Sequence, residues 1–475
     1  MSTSPLQGYD QIVAVSQDHI NMSLDARFSD EKLLKWDVKV SGIGHLAGHM
    51  LPPTVALFIP NEPAKTHFCL HFDSGNLTYY TYTDEEPPMP VTHVVDVTDW
   101  KLAFMVNLNL DAISKLPDDL AKKITFPGSY SVKQLLLDFT TADLMAFDPK
   151  LSVIPASDTV KPLGQDPKRD QALADMINTY LREQVLSASH NVLGYAITVD
   201  DPAKTNPIAP SFPPTLVRFQ TMAHQPTSSG NDCILFLEMT DKHPFPTQPY
   251  IGWTWNWISE DKLDARHAGS MVVTIITLVK TTSPSMDERE EWKRIAQAAD
   301  AVSNAWTTTA AHGMGWDWKY ENNFDEPNFH HSRSCDTKVD VAPDVTDPTA
   351  IAGVWDIEAT VTYGFRFSLN VAAGALGFSP TANPEPDCKV KLTAVFNDDG
   401  GSKEIPSLTK EKEEEVRKAV KAEVDKEMPS FVQQINDAFK HQAQFVFPGG
   451  GTFFMKDPGL NAAGDMVVGL TYKQE

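Results

Sequence analysis

Two runs of strict period-two alternation constrain this chain more than any other feature. Trp355, Ile357, Ala359, Val361, Tyr363, Phe365, Phe367 and Leu369 fall on one side of an extended backbone, and Asp356, Glu358, Thr360, Thr362, Arg366 and Ser368 on the other. A second run sets Trp100, Leu102, Phe104, Val106, Leu108 and Leu110 against Asp99, Lys101, Asn107 and Asn109. Successive side chains of a strand point to opposite faces, so each run has one face for a core and one for water, the pattern of antiparallel sheet. Ordinary strands run ~5–6 residues, so these lengths predict elongated, bent sheets.

Four segments carry helical spacing. Tyr9 to Asp25 brings Tyr9, Ile12, Val13, Ile20 and Leu24 near one face. Pro167 to Ser187 starts with Asp166 as a cap and Pro167 at the first helical position, and its stripe is Leu173, Met176, Ile177, Tyr180 and Leu181. Ser285 to Trp306 opens on a Ser285/Glu288 capping box. The most amphipathic stretch, Lys410 to Phe439, aligns Val416, Val420, Val424, Met428, Phe431, Ile435 and Phe439, with Pro429 expected to kink or break it.

An internal repeat is also legible. An amphipathic helix and an extended run (Trp36 to Val40; Val192 to Val199) are each followed by Pro-Pro-Thr (Pro52 to Thr54; Pro213 to Thr215). A further apolar strand follows each (Phe68 to Phe72; Cys233 to Leu237). At 475 residues the chain exceeds one ordinary core. The expected organisation is a first helix-plus-sheet unit over 1–160 and a second, repeated unit over 161–345. Residues 346–475 would supply long strands and a long helix packing back on the sheets.

Composition narrows the function classes. Net charge is −23, from 40 basic and 63 acidic residues, which argues against nucleic acid and against broad docking on anionic lipid. The start, Met1 to Gln7, has no basic and apolar signal pattern, and no uncharged apolar run reaches the ~18 residues of a membrane span. Cys69, Cys233, Cys335 and Cys388 are far apart, which fits free thiols in a reducing compartment. The expected location is cytoplasmic, or exported without a signal peptide.

The search for catalytic motifs is negative. No phosphate loop, dinucleotide glycine pattern, G-x-S-x-G or H-E-x-x-H occurs, and Gly449-Gly450-Gly451 leads to Thr452-Phe453 with no lysine. His45 and His49 have the spacing of two metal ligands on a helix, but Gly42, Gly44 and Gly48 favour a loop or bulged strand. The segment from His312 to Asp336 gathers His312, Asp317, Asp325, Glu326, His330, His331, Cys335 and Asp336 among aromatics. Its two readings are an Ω-type loop anchored by those aromatics and a metal site with an open catalytic position. Trp253, Trp255 and Trp257 alternate; on a strand they would share a face, to stack on a sugar or lipid headgroup, or to pack under the helix from Ser285.

The opening Gly8-Tyr9-Asp10-Gln11-Ile12-Val13-Ala14-Val15-Ser16 resembles the start of accessory proteins encoded beside clostridial botulinum neurotoxins, members of the tubular lipid-binding (TULIP) superfamily. The closing Phe445-Val446-Phe447-Pro448-Gly449-Gly450-Gly451-Thr452-Phe453-Phe454, with Asp465 and Leu470-Thr471-Tyr472, is similar to ends of related chains. The resemblance implies an α+β, TULIP-like fold, with long amphipathic helices wrapped by highly curved antiparallel sheets. It also implies a groove between helix and sheet for a lipid or another apolar small molecule, in a toxin-like or transport assembly.

The side chains placed to line such a groove are Trp100, Phe104, Val106, Ile357, Val361, Phe365 and Phe367 from the strands, and Val424, Phe431 and Ile435 from the last helix. No cofactor is expected. The competing functions are a rigid scaffold for a protein partner, to which the acidic surface would bring a basic one, and a metal-dependent enzyme using His312 to Asp336.

Overall fold

A computed structural model describes residues 6–258 apart from short stretches, the backbone of the strands within 269–404, parts of a helix between 414 and 437, and most of 445–472. The chain is α+β, built on strongly curled antiparallel sheet. Its strands are β1 (Gln11–Ser16), β2 (Lys35–Val40), β3 (Gly44–Ala56), β4 (Lys65–Tyr82), β5 (Pro90–Asp96), β6 (Lys101–Ile113), β7 (Tyr130–Asp138), β8 (Val192–Val199), β9 (Leu216–Met222) and β10 (Cys233–Met239). They continue as β11 (Gly269–Val273), β12 (Asp317–Asp325), β13 (Asn328–Val341), β14 (Val354–Ala372), β15 (Ala375–Pro380), β16 (Lys389–Asp398), β17 (Gly401–Glu404), β18 (Val446–Pro448), β19 (Phe453–Leu460) and β20 (Met466–Tyr472).

Three sheets result. One has the order β18-β8-β7-β6-β4-β3-β2, with β5 also on β4; a second β19-β20-β11-β1-β10-β9; a third β12-β13-β14-β16-β17, with β15 on β14. The helices are α1 (Gln17–Arg27), α2 (Glu31–Leu34), α3 (Asp118–Ala121), α4 (Pro167–Tyr180) and α5 (Pro202–Thr205).

Both alternating runs are strands. β14, with 19 residues, is the third sheet's central strand. β6 buries Leu102, Phe104, Val106 and Leu108 at 3% exposure or less, and Trp100 sits buried just before it. Asp166 caps α4 by accepting from the Arg169 amide, and Pro167 opens the helix. The helix passes into a wider π-type turn over Leu181–Leu186.

The first predicted helix is corrected: Gln11–Ser16 is a strand, and the helix begins only at Gln17, where Ser16 accepts from the His19 amide. β1 lies between β10 and β11 and is buried throughout. Val13 and Val15 join the main core, whereas Ile12 and Ala14 pack on the other side with Leu235, Leu237, Trp253 and Trp257. A strand buried on both faces shows a continuous apolar run with no alternation, which reads equally as helix.

The glycines around His45 and His49 make a bulged strand. Gly48 pairs with Gly75, and a Cβ on Gly48 would lie 2.3 Å from the Ser74 carbonyl oxygen, so only glycine permits this approach. The register of β3 on β4 slips after His49 and again between Leu51 and Thr54, where Pro52 and Pro53 have no amide to give a ladder. The two Pro-Pro-Thr segments sit differently: the first lies within β3, while the second precedes β9, which pairs with β10 and not with β8.

The Ω-loop reading of His312 to Asp336 is also corrected, because Asp317 to Asp325 pairs with Asn328 to Asp336 in an antiparallel hairpin, β12–β13. Extended ladders satisfy backbone groups in pairs, and alternation masked by the mixed polar and aromatic content hid them. The tryptophan segment is not a strand: Trp253 and Trp257 are buried edge-to-face 5.5 Å apart, and Trp255 meets Trp257 at 4.5 Å. The Ser285 to Trp306 helix lies outside the described residues. Between Glu414 and Asp437 the described residues are helical on both sides of Pro429 and belong mainly to the polar face.

Candidate functional site

The space between α4 and the first sheet is filled by side chains. Leu173, Met176, Ile177 and Tyr180 are 2% exposed or less. Tyr180 stacks on Trp36 at 3.9 Å and donates its hydroxyl to the Leu33 carbonyl, while Trp36 meets Phe72 edge-on at 5.1 Å. Trp100, Phe104 and Val106 belong to this same core. Ile357, Val361, Phe365 and Phe367 lie in β14, at positions paired with Val339, Cys335, His331 and Phe329 of β13. They are thus in a different sheet from β6. Val424, Phe431 and Ile435 lie outside the described residues.

An open space occurs beside the first of these groups. β6 pairs with β4 over Lys101–Asn107 but with β7 only from Asn107 onward. The flank of Lys101 to Phe104 that β7 leaves free is taken by the segment after Phe139. Lys101 and Val153 exchange backbone bonds at 2.7 and 2.8 Å, Asp148 N donates to Ala103 O, and the Ala103 amide donates to the Ser152 hydroxyl at 3.0 Å. The turn is set by Asp148, whose carboxylate accepts from the amides of Lys150 and Leu151. Partial burial works against ionisation of Asp148, but those amides and nearby His67 outweigh it and hold its carboxyl below the usual range.

This segment and the chain returning to α4 border a half-open cavity of about 430 Å³, within the ~300–1,000 Å³ range of small-molecule sites. Its wall is Phe147, Ile154, Val160 and Leu163 with Pro149, Pro155 and Pro162; Ser152 supplies a hydroxyl that already bonds Ala103. Proline carries no amide hydrogen, so three prolines line the space without presenting donors that an apolar occupant would strand. Leu151 and Val153 are 40% and 50% exposed nearby.

The far wall is fixed by a buried ion pair. Arg169 and Asp170, 1% and 2% exposed, stand in the first turn of α4. The guanidinium donates to Asp170 Oδ1 at 2.6 and 2.9 Å and to the carbonyls of Lys161 and Pro162, and lies 5.6 Å from the centroid of the Trp100 ring. Asp170 Oδ2 accepts from the Gly164 amide at 2.7 Å. Each oxygen and nitrogen thus has a partner, and three of the bonds hold residues 161–164 against the helix, the condition under which a buried pair is tolerated. Trp100 takes part in the site as the floor beneath Arg169, not as a lining residue.

His45 and His49 do not converge on one ion. His45 Nε2 lies 2.7 Å from Asp37, and His49 lies 3.2 Å from Glu31 and 3.6 Å from Asp73. Among the described residues no group of three or more His, Cys, Asp or Glu is arranged to hold a metal. No described helix is long and apolar enough to cross a membrane.

No protein-family profile matches the sequence, and no curated protein matches it. Among solved structures the chain is similar to P47 from Clostridium botulinum A2, with a TM-score of 0.49 and 9% identity over 98% of both chains. It is similar to P47 of Clostridium botulinum E1, at 0.48 and 8% over 98% of this chain and 100% of the other. A lipopolysaccharide binding protein matches at 0.35 and 10% over 98% and 99%. The two P47 structures agree with the resemblance read from the ends of the sequence. With TM-scores below 0.5 the likenesses bear no weight for function, which has to come from this chain's own geometry.

Proposed function

We propose that this protein binds an apolar small molecule, a lipid acyl chain foremost, in the cavity walled by residues within 146–155 and 160–164. The observation that carries this reading is a half-open cavity lined mostly by aliphatic, aromatic and prolyl side chains, whose one lining hydroxyl is already bonded within the fold. Binding then draws on removal of apolar surface from water, about 25 cal/mol per Å², and asks for no polar group on the buried part of the ligand. In this reading the site lies beside the helix–sheet core to which Trp100, Phe104 and Val106 belong.

Titration with cis-parinaric acid, a fluorescent C18 fatty acid, tests this. Saturable binding is expected. Ile154 is only half-buried, so Ile154→Glu should keep the fold while placing a carboxylate against the acyl chain. Affinity should fall at least about tenfold, the equivalent of 1.4 kcal/mol, at an unchanged melting temperature. Equal affinity of the two proteins would sink the proposal.

A further inference from the structure

The second half of β4 and all of β5 form a hairpin whose outer edge no described strand pairs. β5 pairs only with β4 among the described residues. Thr83 N donates to Met89 O and Val97 N to Gly75 O. With the register of the two strands, this sets the bonded pairs at Thr81–Val91, Tyr79–His93 and Leu77–Val95. The backbone groups of Thr92 and Val94 therefore face away from β4, where they template the addition of another strand.

The side chains beside this edge favour one kind of partner. Tyr80, Tyr82 and Val94 share a face of the hairpin and are 38%, 59% and 65% exposed. From Thr66 to Trp100 the chain has no lysine or arginine, whereas Asp73, Asp84, Glu85, Glu86, Asp96 and Asp99 are all exposed. A second copy of a chain of net charge −23 would bring like charge to the same edge. A lipid surface would meet the Asp84-Glu85-Glu86 tip first.

We propose that the β5 edge docks an extended, basic segment of another protein. The segment pairs its backbone with Thr92 and Val94, rests apolar side chains on Tyr80, Tyr82 and Val94, and sets lysine or arginine against the acidic turn.

The test uses the full chain and a fluorescein-labelled, ten-residue peptide of alternating lysine and valine, read by anisotropy and amide hydrogen exchange. Saturable binding is expected, with slowed exchange confined to residues 90–96. The Thr92 amide points outward, so Thr92→Pro removes a docking donor and no bond to β4. It should weaken binding at least tenfold without lowering the melting temperature. Replacing Asp84, Glu85 and Glu86 by their amides should weaken binding several-fold and reduce its salt dependence. Absence of saturable binding, equal affinity of the Thr92→Pro protein, or tighter binding of a glutamate–valine control peptide overturns the proposal. Slowed exchange of the same segment by phosphatidylcholine vesicles or by self-association, with no effect of the basic peptide, overturns it too.

Discussion

Arg169→Ala is expected to cost roughly 3–5 kcal/mol of unfolding free energy, the range for removing one member of a buried ion pair. Asp170 would remain 2% exposed with its charge uncompensated, and the carbonyls of Lys161 and Pro162 would lose their donor. Arg169→Met combined with Asp170→Leu removes both charges while keeping most of the volume, so this double variant should recover much of the loss. Urea unfolding of the single and double variants measures the difference. The same single substitution releases residues 161–164 from α4, so cis-parinaric acid affinity should fall in conditions where the protein is still folded. A cost below about 1 kcal/mol, the scale of an exposed pair, would show that the pair does not hold the cavity wall.

Glu238→Gln is expected to act in the opposite direction, raising stability at alkaline pH. Glu238 stands in β10, 1% exposed and opposite Gln11 of β1. Burial pushes its carboxyl up to about 8, against the opposing effect of the hydrogen bond from Gln11. Between the unfolded value of 4.5 and about 8 the folded chain holds a proton that the unfolded chain has released. Stability therefore falls as pH rises through that interval, by roughly 5 kcal/mol in all at ~1.4 kcal/mol per unit.

His19 works with the other sign. Burial lowers it to about 4 from 6.5, so its contribution is lost as pH falls between those values. The two effects oppose each other below pH 6.5, and above it, among the described residues, Glu238 gives the larger effect. Stability of the parent should thus decline from pH 6.5 to 8, while Glu238→Gln, with no proton to lose, should stay level and melt higher at pH 8. Parallel profiles for the two proteins would refute the assignment of the decline to Glu238.

What the sequence discloses about this fold follows from how each element is buried. β6 has one wet face, and its alternation from Trp100 to Leu110 is visible without any structure; β14 alternates in the same way. The start of α4 is equally local, because a cap and a proline act within one turn. β1 is hidden from such reading by being buried on both faces.

The cavity was hidden for a different reason. Its wall comes from non-repeating chain within 147–155 and 160–164, with prolines and no periodicity, the first part held by bonds to Lys101 and Ala103 far back in the chain. The longest apolar stripes are the most visible in sequence, and the side chains of one of them, Trp100, Phe104 and Val106, form core. A signal was nevertheless present: Pro149, Pro155 and Pro162 with intervening aliphatics, directly ahead of a well-capped helix. The Arg169–Asp170 pair gave none, since two adjacent charges in a first helical turn are ordinary on a surface.

The most direct test of acyl-chain binding is photo-crosslinking with a diazirine-bearing palmitic acid, followed by mass spectrometry of the peptides. Labels are expected on the peptides containing Phe147 to Ile154 and Val160 to Leu163, competed by excess palmitate and absent from Ile154→Glu. Labelling spread over the surface, or saturable labelling that leaves residues 146–164 unmodified, would contradict an apolar binding site there.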